Sequence, residues 1–277
     1  MTSLADLSPL REALAAHGLM ARKSFGQHFL LDLNITRKIA RLAEVGAGDT
    51  VIEVGPGPGG LTRALIETGA RVIAVEKDAR FVPLLEELAL ASNGALELIL
   101  GDALTVDEAA LTGGAPAHLV ANLPYNVGTP LLIKWLTGPW SPASLTLMFQ
   151  KEVADRIAAA PGSDPYGRLS VIAQATSEAR VIMEVPARAF TPPPKIESAV
   201  VRLTPRHDRP GPARLAALQS LTAAAFGQRR KMLRASLKPL GGESLALAAG
   251  LDPQARAETI DVAGFLRLAD AWLAHKK

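Results

Sequence analysis

The chain has 277 residues, of which 48% are hydrophobic, 21% charged and 4% aromatic. That composition excludes a disordered polymer and allows a sizeable core, and the length suggests one medium domain plus a small one. It contains no cysteine, which excludes disulfide frameworks, thiolate metal sites and cysteine nucleophiles and suits a reducing, cytoplasmic setting. Net charge is only +3, but it is unevenly spread: residues up to 205 hold 18 Lys/Arg against 21 Asp/Glu, and residues from 206 onward hold 12 against 6. A basic tail on a near-neutral body suggests a polyanionic partner, or else a solubilising surface. No apolar run approaches the ~18 residues of a membrane span. Asp6, Pro9, Arg11 and Glu12 break any signal-peptide core.

In chain order, Thr50–Val54 reads as a short apolar strand ending in the glycine-proline run Gly55–Gly60, followed by a helix over Leu61–Thr68 stopped by Gly69. Arg71–Glu76 is a second strand, Asp78 opens a helix to about Ala91, and Leu96–Leu100 is a third strand followed by Gly101-Asp102. Leu119–Ala121 is a fourth strand leading into Asn122-Leu123-Pro124-Tyr125. Thr129-Pro130 gives an N-cap and N1-proline signal for a helix to about Leu136. Ser144–Phe149 is a fifth strand and Lys151–Ala159 a helix. Strands alternating with helices imply βαβ units and a parallel sheet, a Rossmann-like α/β class. Leu169–Thr176 reads as helix. Ala179–Val185 and Ile196–Leu203, joined by a proline-rich loop too short for a long crossover, predict an antiparallel pair at one sheet edge. Pro205–Pro212 has linker composition, so a boundary is expected near residue 206. Beyond it the pattern is helical, over about Ala213–Phe226, Arg229–Lys238, Glu243–Ala249 and Val262–His275.

Gly55, Gly57 and Gly60 match G-x-G-x-x-G after a strand, either a tight turn or a place where backbone approaches a ligand closely. Glu76 ends the second strand where the ribose hydroxyls of a nucleoside would sit, and Asp102 follows the third strand within reach of an adenine amino group. Glu53 lies inside the first strand, an expensive position for a carboxylate without a partner. Pro56 and Pro58 remove two N–H donors that a pyrophosphate would use. A loop poor in donors and ringed by acids fits a cationic, phosphate-free nucleoside, S-adenosylmethionine, better than it fits NAD.

Asn122–Tyr125 faces the same crevice and reads either as a plain turn or as a site for an exocyclic amine. An Asn side-chain oxygen and a backbone carbonyl can accept the two N–H bonds of such an amine and favour a more tetrahedral nitrogen. Tyr125, one of only two tyrosines, can stack on the base.

Four segments then resemble the ribosomal RNA adenine N6,N6-dimethyltransferase family, most nearly its bacterial small-subunit (16S) branch. They are Arg22–Leu30 (RKSFGQHFL), Glu53–Gly57 (EVGPG), Asn122–Tyr125 (NLPY) and Phe190–Lys195 (FTPPPK). The glycine loop is generic to methyltransferases; the other three together are specific, and with the basic helical tail the resemblance covers nearly the whole chain. It implies a methyltransferase domain over residues 1–205, with an N-terminal arm, and a helical RNA-binding domain over 206–277. It also implies dimethylation of two adjacent adenines in the 3′-terminal hairpin of small-subunit rRNA within an assembling 30S particle. The cofactor would meet Gln27, His28, Leu30, Glu53, Gly55, Gly57, Glu76, Lys77, Asp102, Ala103 and Asn122. Asn122, Leu123, Pro124, Tyr125 and Phe190 would form the catalytic set, with Phe190 stacking on the target base opposite Tyr125. His28 departs from the Asn common at that position. RNA would be gripped by Arg22, Lys23, Lys195, Arg229, Arg230, Arg234 and Lys238; on the predicted helix Arg230, Arg234 and Lys238 share one face. A monomer without metal is expected. The competing readings are a ribosome-assembly or nucleic-acid-binding factor with secondary catalysis, and a large-subunit rRNA adenine dimethylase.

Overall fold

A computed structural model describes residues 4–19, 28–228 and 230–275. The chain divides into two compact units, one of Met1–Leu132, Trp140–Ala154 and Val181–Arg202, the other of Ile133–Pro139, Asp155–Arg180 and Leu203–Lys277.

The main sheet has seven strands. Its strands are β2 (Thr50–Val54), β3 (Arg71–Glu76), β4 (Leu96–Leu100), β5 (His118–Asn122), β6 (Ser144–Gln150), β7 (Ser177–Val185) and β9 (Ser198–Pro205), in the order β4-β3-β2-β5-β6-β9-β7. Strands β2 to β6 pair in parallel, with Val54 opposite Val75, Glu76 opposite Leu100 and Asn122 opposite Met148. The central ones are apolar on both faces because both faces are covered: Val51, Ile52, Val72, Ile73, Leu119 and Val120 expose nothing. β9 and β7 close the far edge as neighbours.

The connecting helices are α3 (Gly60–Ile66), α4 (Val82–Ala91), α5 (Glu108–Thr112), α6 (Gly128–Thr137) and α7 (Lys151–Ala158). Ahead of the sheet lie α1 (Leu10–Ala16) and α2 (Leu33–Leu42), the latter capped by the Asp32 carboxylate accepting from the Asn34 N–H. A second, two-stranded antiparallel sheet joins β1 (Phe29–Leu30) to β8 (Phe190–Thr191). Two local expectations are corrected. Asp78 caps a 3₁₀ turn over Ala79–Phe81 rather than α-helix, and α4 begins only at Val82, with Pro83 in its first turn where a missing N–H costs nothing. Thr129 lies inside α6, which starts at Gly128; the turn carbonyl of Pro124 accepts from the Val127 and Gly128 N–H groups and starts the helix in place of a Thr129 cap.

The second unit packs α8 (Arg168–Thr176), α9 (Pro212–Phe226), α10 (Leu233–Ser236), α11 (Gly242–Ala248) and α12 (Val262–His275) around Leu218, Leu221, Phe265 and Leu268, all fully buried. Phe226 stacks on Phe265 at 5.5 Å, and the Tyr166 hydroxyl donates to the Ile260 carbonyl at 2.9 Å. The predicted helix over Arg229–Lys238 does not form as one element. Arg230 sits in a turn, Met232 bridges to Arg256, and the N–H groups of Leu233 and Arg234 donate to the carbonyls of Ala255 and Pro253. Only one α-helical turn follows before Lys238–Leu240 tightens to 3₁₀ around Pro239. Arg230, Arg234 and Lys238 therefore do not line one helix face, though all three are exposed.

Candidate active site

The parallel register brings the turns after β2, β3 and β5 to one end of the sheet. The Gly55 N–H donates to the Val75 carbonyl at 2.9 Å and the Gly101 N–H to the Glu76 carbonyl at 2.8 Å, so each turn starts at the level where its neighbour strand ends. This is the crevice at carboxyl strand ends where open α/β sheets bind ligands. A cavity of about 510 Å³ occupies it.

The glycine turn forms one wall. Gly57 has φ +54°, in the left-handed region that side chains disfavour. Gly60 has no room for a side chain, since a Cβ there would lie 2.8 Å from the Leu30 carbonyl oxygen, so β1 passes directly over the turn. Phe29 and Phe81, edge-to-face at 5.5 Å, complete the apolar part of that wall.

The carboxylates are of two kinds. Glu53 exposes 1% of its surface and its Oε2 has no hydrogen-bond partner. Burial pushes its carboxyl up to about 8; the nearby Thr62 hydroxyl works against the shift and the Glu76 charge adds to it. Glu76 is held by the backbone: its Oε2 accepts from the Gly57 N–H at 3.0 Å and its Oε1 from the Asp78 N–H at 2.8 Å. Burial still raises it, against those bonds. The Gly57 bond ties the glycine turn to the tip of β3.

Across the cavity, Asn122 ends β5 and Leu123, Pro124 and Tyr125 follow on the same wall. The Pro124 ring packs against Gly55, where a Cβ would stand 3.7 Å from Cδ. The Asn-Leu-Pro-Tyr turn and the glycine turn thus abut and share one cavity. The Tyr125 hydroxyl shares a 2.7 Å hydrogen bond with Ser198 Oγ at the start of β9, which fixes the ring; burial raises its pKa against that bond.

Of the residues singled out in the sequence, His28, Leu30, Glu53, Gly55, Gly57, Glu76, Lys77 and Asn122–Tyr125 line this cavity. Asp102 and Ala103 do not; the Asp102 carboxylate accepts from Lys77 Nζ at 2.7 Å and from the Leu104 N–H at 2.9 Å. Phe190 is 3% exposed within the apolar core, paired to Leu30, and is absent from the wall. Lys195 is exposed on the loop before β9. Arg22, Lys23, Gln27 and Arg229 lie outside the described residues. Phe81, Ser198 and the β1–β8 pairing were not read from the sequence. Two-residue strands carry no periodicity, and the Ser198 contact spans 73 positions.

The acids and the orphaned Glu53 oxygen suit a ligand with positive charge, and the paucity of N–H donors in the proline-bearing turn suits one without phosphate. S-adenosylmethionine meets both conditions.

Comparison with known proteins agrees with this geometry. A family model described as ribosomal RNA adenine dimethylase matches residues 18–273. A ribosomal RNA small subunit methyltransferase A from Phenylobacterium zucineum is 78% identical, covering 99% of this chain and 96% of its own. The protein of the same description from Caulobacter vibrioides is 70% identical over 92% of this chain and 98% of its own. Among solved structures, a dimethyladenosine transferase from Plasmodium falciparum superposes with a TM-score of 0.73 at 26% identity, covering 87% of this chain and 96% of that one. The 23S rRNA methyltransferase ErmE does so at 0.68 and 28% identity, covering 88% of this chain and 98% of that one.

Proposed function

The chain belongs to the ribosomal RNA adenine dimethylase family, and from that premise we propose that it converts two adjacent adenines in the 3′-terminal hairpin of small-subunit rRNA to N6,N6-dimethyladenosine. It is an S-adenosylmethionine-dependent small-subunit rRNA methyltransferase. The observation that carries the finer reading is the single cavity joining the glycine turn to Asn122–Tyr125.

The cofactor, when bound, supplies a methyl group made electrophilic by a sulfonium. Glu53, Glu76 and the Gly55–Gly57 turn would hold it, with Asn122 between it and the target. In the first transfer the Asn122 side-chain oxygen and the Leu123 carbonyl accept the two N6–H bonds and turn the nitrogen lone pair toward the methyl; in the second, the monomethylated nitrogen has one N–H left to give to one of them. Tyr125, fixed by Ser198, offers its face to the base. Alignment carries much of the rate, and the attacked nitrogen sheds its proton readily, so the wall needs no strong base. The target base must leave its stack, at a cost of a few kcal/mol that stacking and phosphate contacts offset.

In this reading residues 1–205 perform transfer and residues 206–277 grip RNA through Arg230, Arg234 and Lys238, with Arg22, Lys23, Lys195 and Arg229 adding charge. The partner is rRNA in an assembling small subunit, met by a monomer in the cytoplasm. Among the described residues no helix is long and apolar enough to cross a membrane. The higher identity to small-subunit enzymes than to ErmE favours the small over the large subunit as substrate.

Mass mapping of methylated adenines in rRNA from cells with and without this chain tests the proposal. Loss of two adjacent dimethyladenosines near the small-subunit 3′ end is expected. Their persistence, or a loss in large-subunit RNA instead, overturns it.

A further inference from the structure

One wall of the cavity holds a carboxyl whose surroundings leave it incomplete. Glu53 lines the cavity, is buried, and has no hydrogen-bond partner at Oε2 among the described residues. Its strand neighbours give it no cation: β3 sets Ala74 opposite it, and β5 contributes the uncharged Asn122 to the cavity. The Thr62 hydroxyl on α3 eases the charge only in part. The other titratable groups of the cavity are engaged elsewhere. Glu76, a like charge, already accepts backbone N–H bonds at both oxygens. Lys77 pairs with Asp102 and Asp78 with Arg80. The His28 ring lies against Tyr125 with its Nδ1 on the Pro192 carbonyl, and the Tyr125 hydroxyl is bonded to Ser198. Burial, with the Glu76 charge nearby, raises the Glu53 carboxyl to about 8, so near neutral pH it is protonated.

We propose that Glu53 is the counter-ion of the cofactor's methionine ammonium and releases its proton to solvent when the cofactor binds. This rests on the reading of the cavity as the cofactor's site. S-adenosylmethionine carries two cations, and they differ in what they offer a buried oxygen. A sulfonium has charge but no hydrogen to donate, whereas an ammonium has charge and three N–H donors. Only the ammonium supplies both things that Glu53 Oε2 lacks, a donor and a countercharge. Without cofactor the neutral carboxyl is the favoured state of a buried group. With the ammonium present the ionised form is favoured, the O–H bond breaks and one proton leaves for solvent as the ion pair forms. Protons therefore compete with the cofactor, and affinity rises with pH up to about 8. There the rise ends, because the cofactor's own amino group, ordinarily at about 7.7–8.0, loses its charge. Pairing at the ammonium also leaves the sulfonium without stabilisation by Glu53, so the charge consumed in transfer is not held in the ground state.

The test is titration calorimetry of the full-length chain at about pH 6.5, where the amino group of the free ligand is charged. Buffers of different ionisation enthalpy count the protons released. The ligands are S-adenosylmethionine and S-adenosylhomocysteine, which keeps the ammonium and lacks the sulfonium. Both are expected to release about one proton on binding the wild-type chain. Glu53→Gln is expected to abolish the release and weaken both ligands about tenfold or more, whereas Glu76→Gln weakens binding but keeps the release. Binding to the wild-type chain without release would overturn the inference. So would release with S-adenosylmethionine alone, which assigns the pair to the sulfonium, or undiminished release in Glu53→Gln, which assigns it to another group. If Glu53→Gln does not fold, infrared difference spectra of the wild-type chain decide: loss of a protonated-carboxyl band on binding S-adenosylhomocysteine sustains the inference and its absence overturns it. Cofactor affinity equal to wild type in both the Glu53 and the Glu76 variant would instead remove the reading of the cavity, and this inference with it.

Discussion

At the tip of β5, position is set by backbone and buried groups. Asn122 is fixed by its register with Met148, the turn behind it is closed by N–H groups donating to the Pro124 carbonyl, and Pro124 rests on Gly55. The basic stretch over residues 230–238 of the helical unit is made differently. Its backbone is stitched to residues 253–256, its one helical turn is short, and its cations stand exposed on long side chains. Chemistry that depends on a line of three atoms needs the first kind of construction. Holding a phosphate chain needs only charge of the right sign within a Debye length. The first region should therefore be sensitive to single atoms and the second only to summed charge.

Tyr125 gives the sharpest contrast. Removing the ring in Tyr125→Ala should lower kcat/KM for RNA by about 5- to 150-fold, the worth of one base–aromatic stack. Tyr125→Phe, which keeps the face and loses the Ser198 bond, should recover most of it, and steady-state methylation assays distinguish the two. Equal loss in both variants would move the role from the ring face to the hydroxyl.

Glu53 offers a smaller effect with a defined sign. Its folded carboxyl is raised to about 8, so between the usual carboxylate range and about 8 the cofactor-free folded chain binds a proton that the unfolded chain has lost. Folding stability should therefore fall as pH rises through that window. Thermal melts of Glu53→Gln should show a flatter decline, with the raised Glu76 leaving part of the slope. A steeper decline in the variant would contradict the assignment. The smallest effect is expected in the tail. Reversing two of Arg230, Arg234 and Lys238 should lower the salt slope of log affinity by about two, with no change in turnover at saturating RNA. A loss of turnover there would erase the distinction between the two regions.

What could be read from the sequence follows the same division. Strands β2 and β3 were legible to the residue because strands covered on both faces are short continuous apolar runs, and the partly exposed edge strand β4 because Gly94 and Gly101 bound it. The cavity walls followed from that, because the ends of parallel strands meet at one edge. Glu53 announced itself as an acid with no place in a buried strand. The helix over residues 229–238 was misread because local propensity lost to long-range hydrogen bonds from Leu233 and Arg234. The β1–β8 pair, the burial of Phe190 and the placement of His28 over Tyr125 depend on a register between segments some 160 residues apart, which no local pattern encodes.

In the proposed function Asn122 orients the amine without being needed to bind the RNA. Single-turnover methyl transfer and hairpin binding, measured together on Asn122→Ala, test it most directly. A fall in the transfer rate of about 10²-fold or more is expected, with hairpin affinity nearly unchanged. Near-normal transfer, or a loss of hairpin binding that accounts for the whole defect, would contradict it.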